Sequence, residues 1–189
     1  MGGDTKSRLA AESKRLSFGE MLCDLLTFSR VIIGLAVLSL SFMGKDAYLA
    51  VVVLVIIGCI TDMFDGRVAR HFLGENREGK LGKYDLQIDT FFIFCALAYF
   101  SISGIVIPMA VGLGWIALAV IVIFACKRNP KVLLSFEIPS ILAIITIAGL
   151  YDLKIFLFIV LPAICIGVII EYKRIRYLFF DYFPKVFSK

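Results

Sequence analysis

Four aspartates are the residues in this chain best placed to do chemistry. Asp62, Asp65, Asp85 and Asp89 lie in the stretch TDMFDGRVARHFLGENREGKLGKYDLQIDT, residues 61–90, at the edges of two long apolar runs. A carboxylate at membrane depth costs about 2.5–3.5 kcal/mol even on insertion scales, so it needs a partner or a task. On a helix turning about 100° per residue, Asp62, Asp65, Gly66 and Ala69 share one side, and Asp85 and Asp89, four apart, share a face of the next helix. Two antiparallel helix ends joined by the polar loop 71–84 would aim all four carboxylates into one cleft. Carboxylates held that close repel one another, and a hard divalent cation such as Mg²⁺ or Mn²⁺, which favours oxygen ligands, removes the repulsion. Gly66 and Ala69 leave bare backbone on the same side, where a bulky ligand can approach. Arg70 at the flank adds a fixed fork of donors suited to phosphate. Carboxylates for metal, small residues for access and an arginine for charge describe a diphosphate site.

The same residues resemble a family signature. Asp62-Met-Phe-Asp65-Gly66-Arg-Val-Ala69-Arg70, followed by Asp85-Leu-Gln-Ile-Asp89, resembles that of the CDP-alcohol phosphotransferases, D-x-x-D-G-x-x-A-R and then G-x-x-x-D-x-x-x-D. The first half matches at all five fixed positions. In the second half the glycine position is occupied by Leu81, Gly82 comes one residue later, and the spacer after Arg70 is longer than the family's. Upstream, Thr27 and Arg30 resemble the end of an N-x-x-T-x-x-R motif in which Asp24 replaces the asparagine. The other reading of these three is an interfacial cap, with Asp24 at a helix N-terminus and Arg30 snorkelling to lipid phosphates.

The resemblance implies a donor that is a CDP-linked alcohol, usually CDP-diacylglycerol, a small alcohol acceptor, and CMP as leaving group. It implies that Asp62, Asp65 and Asp85 are the principal ligands of two divalent ions, Mg²⁺ or Mn²⁺. Asp89 would be a further ligand and the general base that takes the acceptor's hydroxyl proton. Asp62, Gly66, Ala69 and Arg70 would hold the nucleotide and its diphosphate. A homodimer is the assembly expected with it.

The elements that must position these groups are membrane helices. The 189 residues are 60% hydrophobic with a mean hydropathy of +0.94, above the roughly 45–50% apolar usage of soluble domains. The expected fold is all-α: an integral membrane protein of six transmembrane helices with an N-terminal interfacial helix over residues 5–22. The first span is expected to open at Asp24 and run to about Met43, and the others to cover 47–60, 85–107, 109–126, 138–150 and 155–170. Residues 1–24 form a cytoplasmic or interfacial segment, 25–170 the six-span domain, and 171–189 a basic, aromatic tail. Gly112, Gly114 and Ala110 are small enough to let helices approach. MGGDTKSRLAAESKRL at the start lacks the apolar core of a signal peptide, so no cleavage is expected there.

Charge fixes the expected orientation. With both termini inside, every Lys and Arg of the 20 falls on the inner side except Lys45 and Lys154 in outer turns and Arg30 within a span. The acidic motif then faces the cytoplasm, and the net charge of +5 is explained by topology rather than by a nucleic-acid partner. The five cysteines show no C-x-x-C spacing and are expected to be packing residues.

Two other readings of the acids stand beside phosphotransfer. They could pair with Arg67, Arg70 and Lys83 in a structural network, although that leaves Gly66 and Ala69 on the carboxylate face unexplained. Intramembrane acids also mark ion or solute transporters, but these cluster at one level, and no pseudo-repeat of spans is visible. For the acceptor the sequence offers Lys127, Arg128 and Lys131. They could bind a phosphorylated alcohol such as glycerol 3-phosphate or an inositol phosphate, or they could only anchor topology.

Overall fold

The computed structural model describes the backbone of residues 3–72, 84–127, 129–170 and 172, and the side chains of 19–65, 67, 84–127, 129–170 and 172. The loop that contains Leu81 and Gly82, the residue Arg128 and the tail beyond 172 lie outside these described residues. Helices are the regular structure throughout them.

Helix α1 runs Gly3–Leu40 as 38 uninterrupted residues. At 1.5 Å per residue it is about 57 Å long, nearly twice a bilayer's hydrocarbon core of about 30 Å. The expected interfacial segment and the first span are therefore one continuous rod. Asp24 lies well inside it and does not cap a helix start.

A 3₁₀ turn, Ser41–Ala47, follows, and Gly44 takes φ 66°, ψ −141°, a backbone conformation that side chains oppose. That turn reverses the chain into α2, Tyr48–Phe72, so the apolar stretch Gly19–Asp65 is two arms folded back on one another and Thr27 meets Asp65.

Helix α3, Asp85–Ile102, is the centre of the bundle, buried nearly all round from Phe92 to Ser101 as a core helix must be. Its far end is tied to the turn by the Tyr99 hydroxyl, which donates to the Gly44 carbonyl at 2.9 Å. The acidic ends of α2 and α3 consequently lie at the opposite end of the bundle from Gly44. Val37, Val51, Leu97 and Phe100 fill the core between α1, α2 and α3.

Residues 103–108 turn the chain, with Gly104 and Val106 at positive φ, into α4, Met109–Ala125. Of the small residues expected to make close contact, Gly112 does so: a Cβ there would lie 2.7 Å from that of Ser101. Gly114 is exposed with nothing within 4 Å, and Ala110 is exposed too.

Helix α5 spans Pro130–Tyr151 and begins eight residues before the expected span because its prolines are accommodated. Asn129 caps it by accepting from the Lys131 N–H at 3.0 Å, Pro130 occupies the first turn where no N–H is needed, and beside Pro139 the Ser140 hydroxyl bonds the Phe136 carbonyl at 2.7 Å. Asp152 breaks the chain and caps α6, Leu153–Ile170, which takes one π turn at Phe156–Val160 just before Pro162.

Asp85–Ile102, Pro130–Tyr151, Leu153–Ile170 and the folded Gly19–Asp65 stretch are long and apolar enough to cross a bilayer, and Met109–Ala125 is an apolar helix of 17 residues. Large apolar side chains such as Phe42, Ile121, Phe124, Phe158 and Ile169 are exposed, as lipid requires and water would penalise.

Candidate active site

Three helices meet at the acidic end, each supplying residues a turn apart. On α1, Thr27 and Arg30 are three apart and share a face. Asp62 and Asp65 have the same spacing on α2, and Asp85 and Asp89 are one turn apart on α3. Arg30 is only 1% exposed, and its guanidinium touches all four carboxylates. Nη1 donates to Asp62 Oδ1 at 3.1 Å and to Asp89 Oδ1. Nη2 donates to Asp65 Oδ2 at 2.8 Å and to Asp85 Oδ1 at 2.5 Å. The Thr27 hydroxyl donates to Asp65 Oδ2 at 2.7 Å.

Exposure grades across the cleft. Asp65 is 13% exposed and Asp89 25%, while Asp62 and Asp85 are 40% and 39%. Arg30 and Thr27 thus form the floor, and Asp62 and Asp85 the mouth.

The approach of the helices just below the carboxylates sets this spacing. Gly58 is one turn before Asp62 and Gly34 one turn beyond Arg30, and both face the buried ring of Phe92, one turn beyond Asp89. A Cβ at Gly58 would meet that ring at 2.4 Å. Gly58→Ala is therefore expected to push α2 away from α3, to cost about 1–3 kcal/mol of stability, and to weaken divalent-metal binding. Thermal unfolding and metal titration of the purified variant check this, with Phe92→Leu added in the same chain expected to restore both. Wild-type behaviour of Gly58→Ala alone would show that the ring does not set the spacing.

Among the described residues, the one guanidinium of Arg30 is shared by four carboxylates, a balance that invites cations. Asp62, Asp85 and Asp89 each offer an oxygen within 4.8 Å of the other two, close enough for one ion to be held by all three. The donors are all carboxylate oxygens, the set that suits Mg²⁺ or Mn²⁺.

A family model described as CDP-alcohol phosphatidyltransferase matches residues 20–170. The chain belongs to that family. No curated protein and no solved structure gives a significant match. The matched region takes in α2, α3 and α1 from Glu20 onward, so the CDP-alcohol phosphatidyltransferase assignment covers Thr27, Arg30 and the four aspartates together.

Of the residues expected at the site, the four aspartates converge as the spacing required. Gly66, Ala69 and Arg70 continue α2 beyond Asp65, their side chains lying outside the described residues. Lys127 sits at positive φ in the exposed turn before α5, and Lys131 is exposed in the first turn of that helix.

What the aspartate motif alone did not contain is Arg30. Its guanidinium is turned into the acidic cleft, not outward to lipid phosphates. An arginine inside a span, three residues from a threonine, was the available signal: such a charge must face a partner, and four carboxylates are the nearest candidates.

Proposed function

We propose that the chain transfers a substituted phosphate, a phosphatidyl group, from a CDP-linked alcohol such as CDP-diacylglycerol to a small alcohol acceptor, releasing CMP. The observation that carries this is the convergence of Asp62, Asp65, Asp85 and Asp89 around Arg30 at one end of an apolar bundle of the matching family. Two Mg²⁺ or Mn²⁺ ions bound by these carboxylates would neutralise charge on the diphosphate and on the oxygens that attack and leave.

The chain's own residues supply the rest. Asp89 accepts the acceptor's hydroxyl proton, and the freed oxygen forms a new bond to the lipid-side phosphorus. The P–O bond to the CMP phosphate breaks, and its electron pair leaves with CMP. Gly66, Ala69 and Arg70, on the outer continuation of α2, would take the cytidine and diphosphate. Thr27 holds Asp65 and thereby orients one wall of the cleft. A lipid donor suits this position because its acyl tails can leave sideways into the bilayer.

Six spans, with the cleft and both termini on the cytoplasmic side, agree with the folded Gly19–Asp65 arms and with Lys45 lying beside the Gly44 turn at the other end. Resemblance to the family also supports pairing of two copies in the membrane.

Incubating the purified protein with CDP-diacylglycerol, Mg²⁺ and a panel of alcohols, and following CMP, tests the proposal. No CMP with any donor and acceptor would reject it. Asp62→Ala and Asp65→Ala are each expected to weaken the divalent-metal requirement and nucleotide binding together, since both rest on the same carboxylates. Full wild-type activity after exhaustive chelation would refute the metal assignment and return the acids to a structural role.

A further inference from the structure

Helix α5 brings a fifth carboxyl group to the cleft. Glu137 lies between Leu133 and Ser140, both 1% exposed, on the face that α5 packs inward. The opposite face carries Lys131, Ser135, Ile138 and Leu142, all exposed to the outside. The inward face is braced, because the Trp115 ring of α4 packs at a 60° tilt against Phe136 and its Nε1 donates to Ser140 Oγ at 3.0 Å.

Leu133, one turn before Glu137, and Phe136, next to it, share one packed cluster with Leu86, the neighbour of Asp85 on α3, so this face of α5 lies beside the acidic end of the bundle. Glu137 Oε2 is buried with no hydrogen-bond partner among the described residues. An acceptor atom buried without a donor is costly, more so when it belongs to a carboxylate, so the position asks for a donor from elsewhere.

The geometry points to Glu137 as the residue that selects the acceptor: an unphosphorylated alcohol with a second hydroxyl or an ammonium group, whose O–H or N–H donates to Glu137 Oε2 while its reacting hydroxyl faces Asp89. This rests on the phosphotransfer reading above. A phosphorylated acceptor is disfavoured on the same grounds. Its dianion would approach an inward residue that, among the described residues of α5, is acidic, while Lys131 lies on the opposite, exposed face.

The reaction balances as before. The acceptor's proton goes to Asp89, its oxygen bonds the lipid-side phosphorus, and CMP departs with the electrons of the broken P–O bond. Glu137 holds the acceptor's second group and exchanges no proton in the step.

The test uses the full chain with CDP-diacylglycerol and Mg²⁺. Inositol, glycerol and serine are compared with glycerol 3-phosphate and an inositol phosphate, in wild type, Glu137→Gln and Arg128→Ala. Wild type is expected to give its highest kcat/KM with an acceptor that lacks phosphate. Glu137→Gln should raise that acceptor's KM about tenfold, because the amide still accepts the bond but lacks the charge that makes it about twice as strong, and leave the donor KM and CMP binding within about twofold. Arg128→Ala should leave the KM of the favoured acceptor unchanged.

Preference of the wild type for a phosphorylated acceptor overturns the inference without needing any variant to fold. So does an unchanged acceptor KM in Glu137→Gln, or a raised one in Arg128→Ala. Absence of CMP release with every acceptor would instead reject phosphotransfer itself, so the two failures are told apart.

Discussion

Asp89→Asn is expected to lower transfer by about 10²–10⁴-fold, the range supplied by a positioned general base, while CDP-lipid binding persists in part. The amide keeps the shape of the side chain and can still accept from Arg30 Nη1, so the floor of the cleft stays assembled. What it cannot do is take a proton. Asp89 is distinguished from its neighbours by depth: it is less exposed than Asp62 and Asp85, which form the mouth, and it lacks the threonine that fixes Asp65. A base must reach the acceptor hydroxyl after the donor has entered, and a group behind the mouth and opposite Asp62 can do that. Asp89 also offers one of the three oxygens that could hold a metal, so loss of rate alone does not separate the two roles. Measuring CMP binding and Mn²⁺ affinity beside turnover separates them. A variant with near-normal affinities and lost turnover fits the base, whereas wild-type turnover removes Asp89 from the chemistry.

How far the sequence carried depended on whether a feature was periodic or three-dimensional. The aspartates were legible because helix geometry converts i, i+3 and i, i+4 spacing into a shared face, and the structure brings those faces together. The expected start of α5 at 138 was late by eight residues, since Pro130 reads as a break until Asn129 is seen to cap the helix and the proline to need no N–H there. Residues 5–22 read as a separate segment because their charges differ from those of the span, yet nothing in the backbone between them ends a helix, and α1 runs through. Glu137 had no motif to announce it. Its meaning comes from which face of α5 turns inward, a matter of packing against α3 and α4 that no local pattern states. Arg30 lay between these cases: its charge within a span demanded a partner, but two explanations competed until the guanidinium was seen in the cleft.

Arg30→Ala tests what that guanidinium does in the absence of metal, and its expected effect is on stability first. The residue is almost fully buried and contacts four carboxylates from two helices, so removing it leaves those acids facing one another across the helix contacts that define the bundle end. Truncating one partner of a buried ion pair costs about 3–5 kcal/mol, and water reaching the partly exposed Asp62 and Asp85 screens some of this, which places the loss at the lower end, about 3 kcal/mol. At about 2–4 °C per kcal/mol for a chain of this size, Tm in chelator should fall by about 6–12 °C. Saturating Mn²⁺ should recover most of it, because a cation bound by the folded state and not the unfolded one stabilises by mass action and supplies the missing positive charge. Arg30→Lys should fall between, since a single ammonium keeps the charge but lacks the planar fork that reaches two carboxylates from each nitrogen. The discriminating quantity is the rise in Tm on adding Mn²⁺, which should be larger in Arg30→Ala than in wild type. An equal rise in both would mean that Arg30 contributes packing and not charge to the acidic floor, and an unchanged Tm in chelator would mean that the four carboxylates do not need it at all.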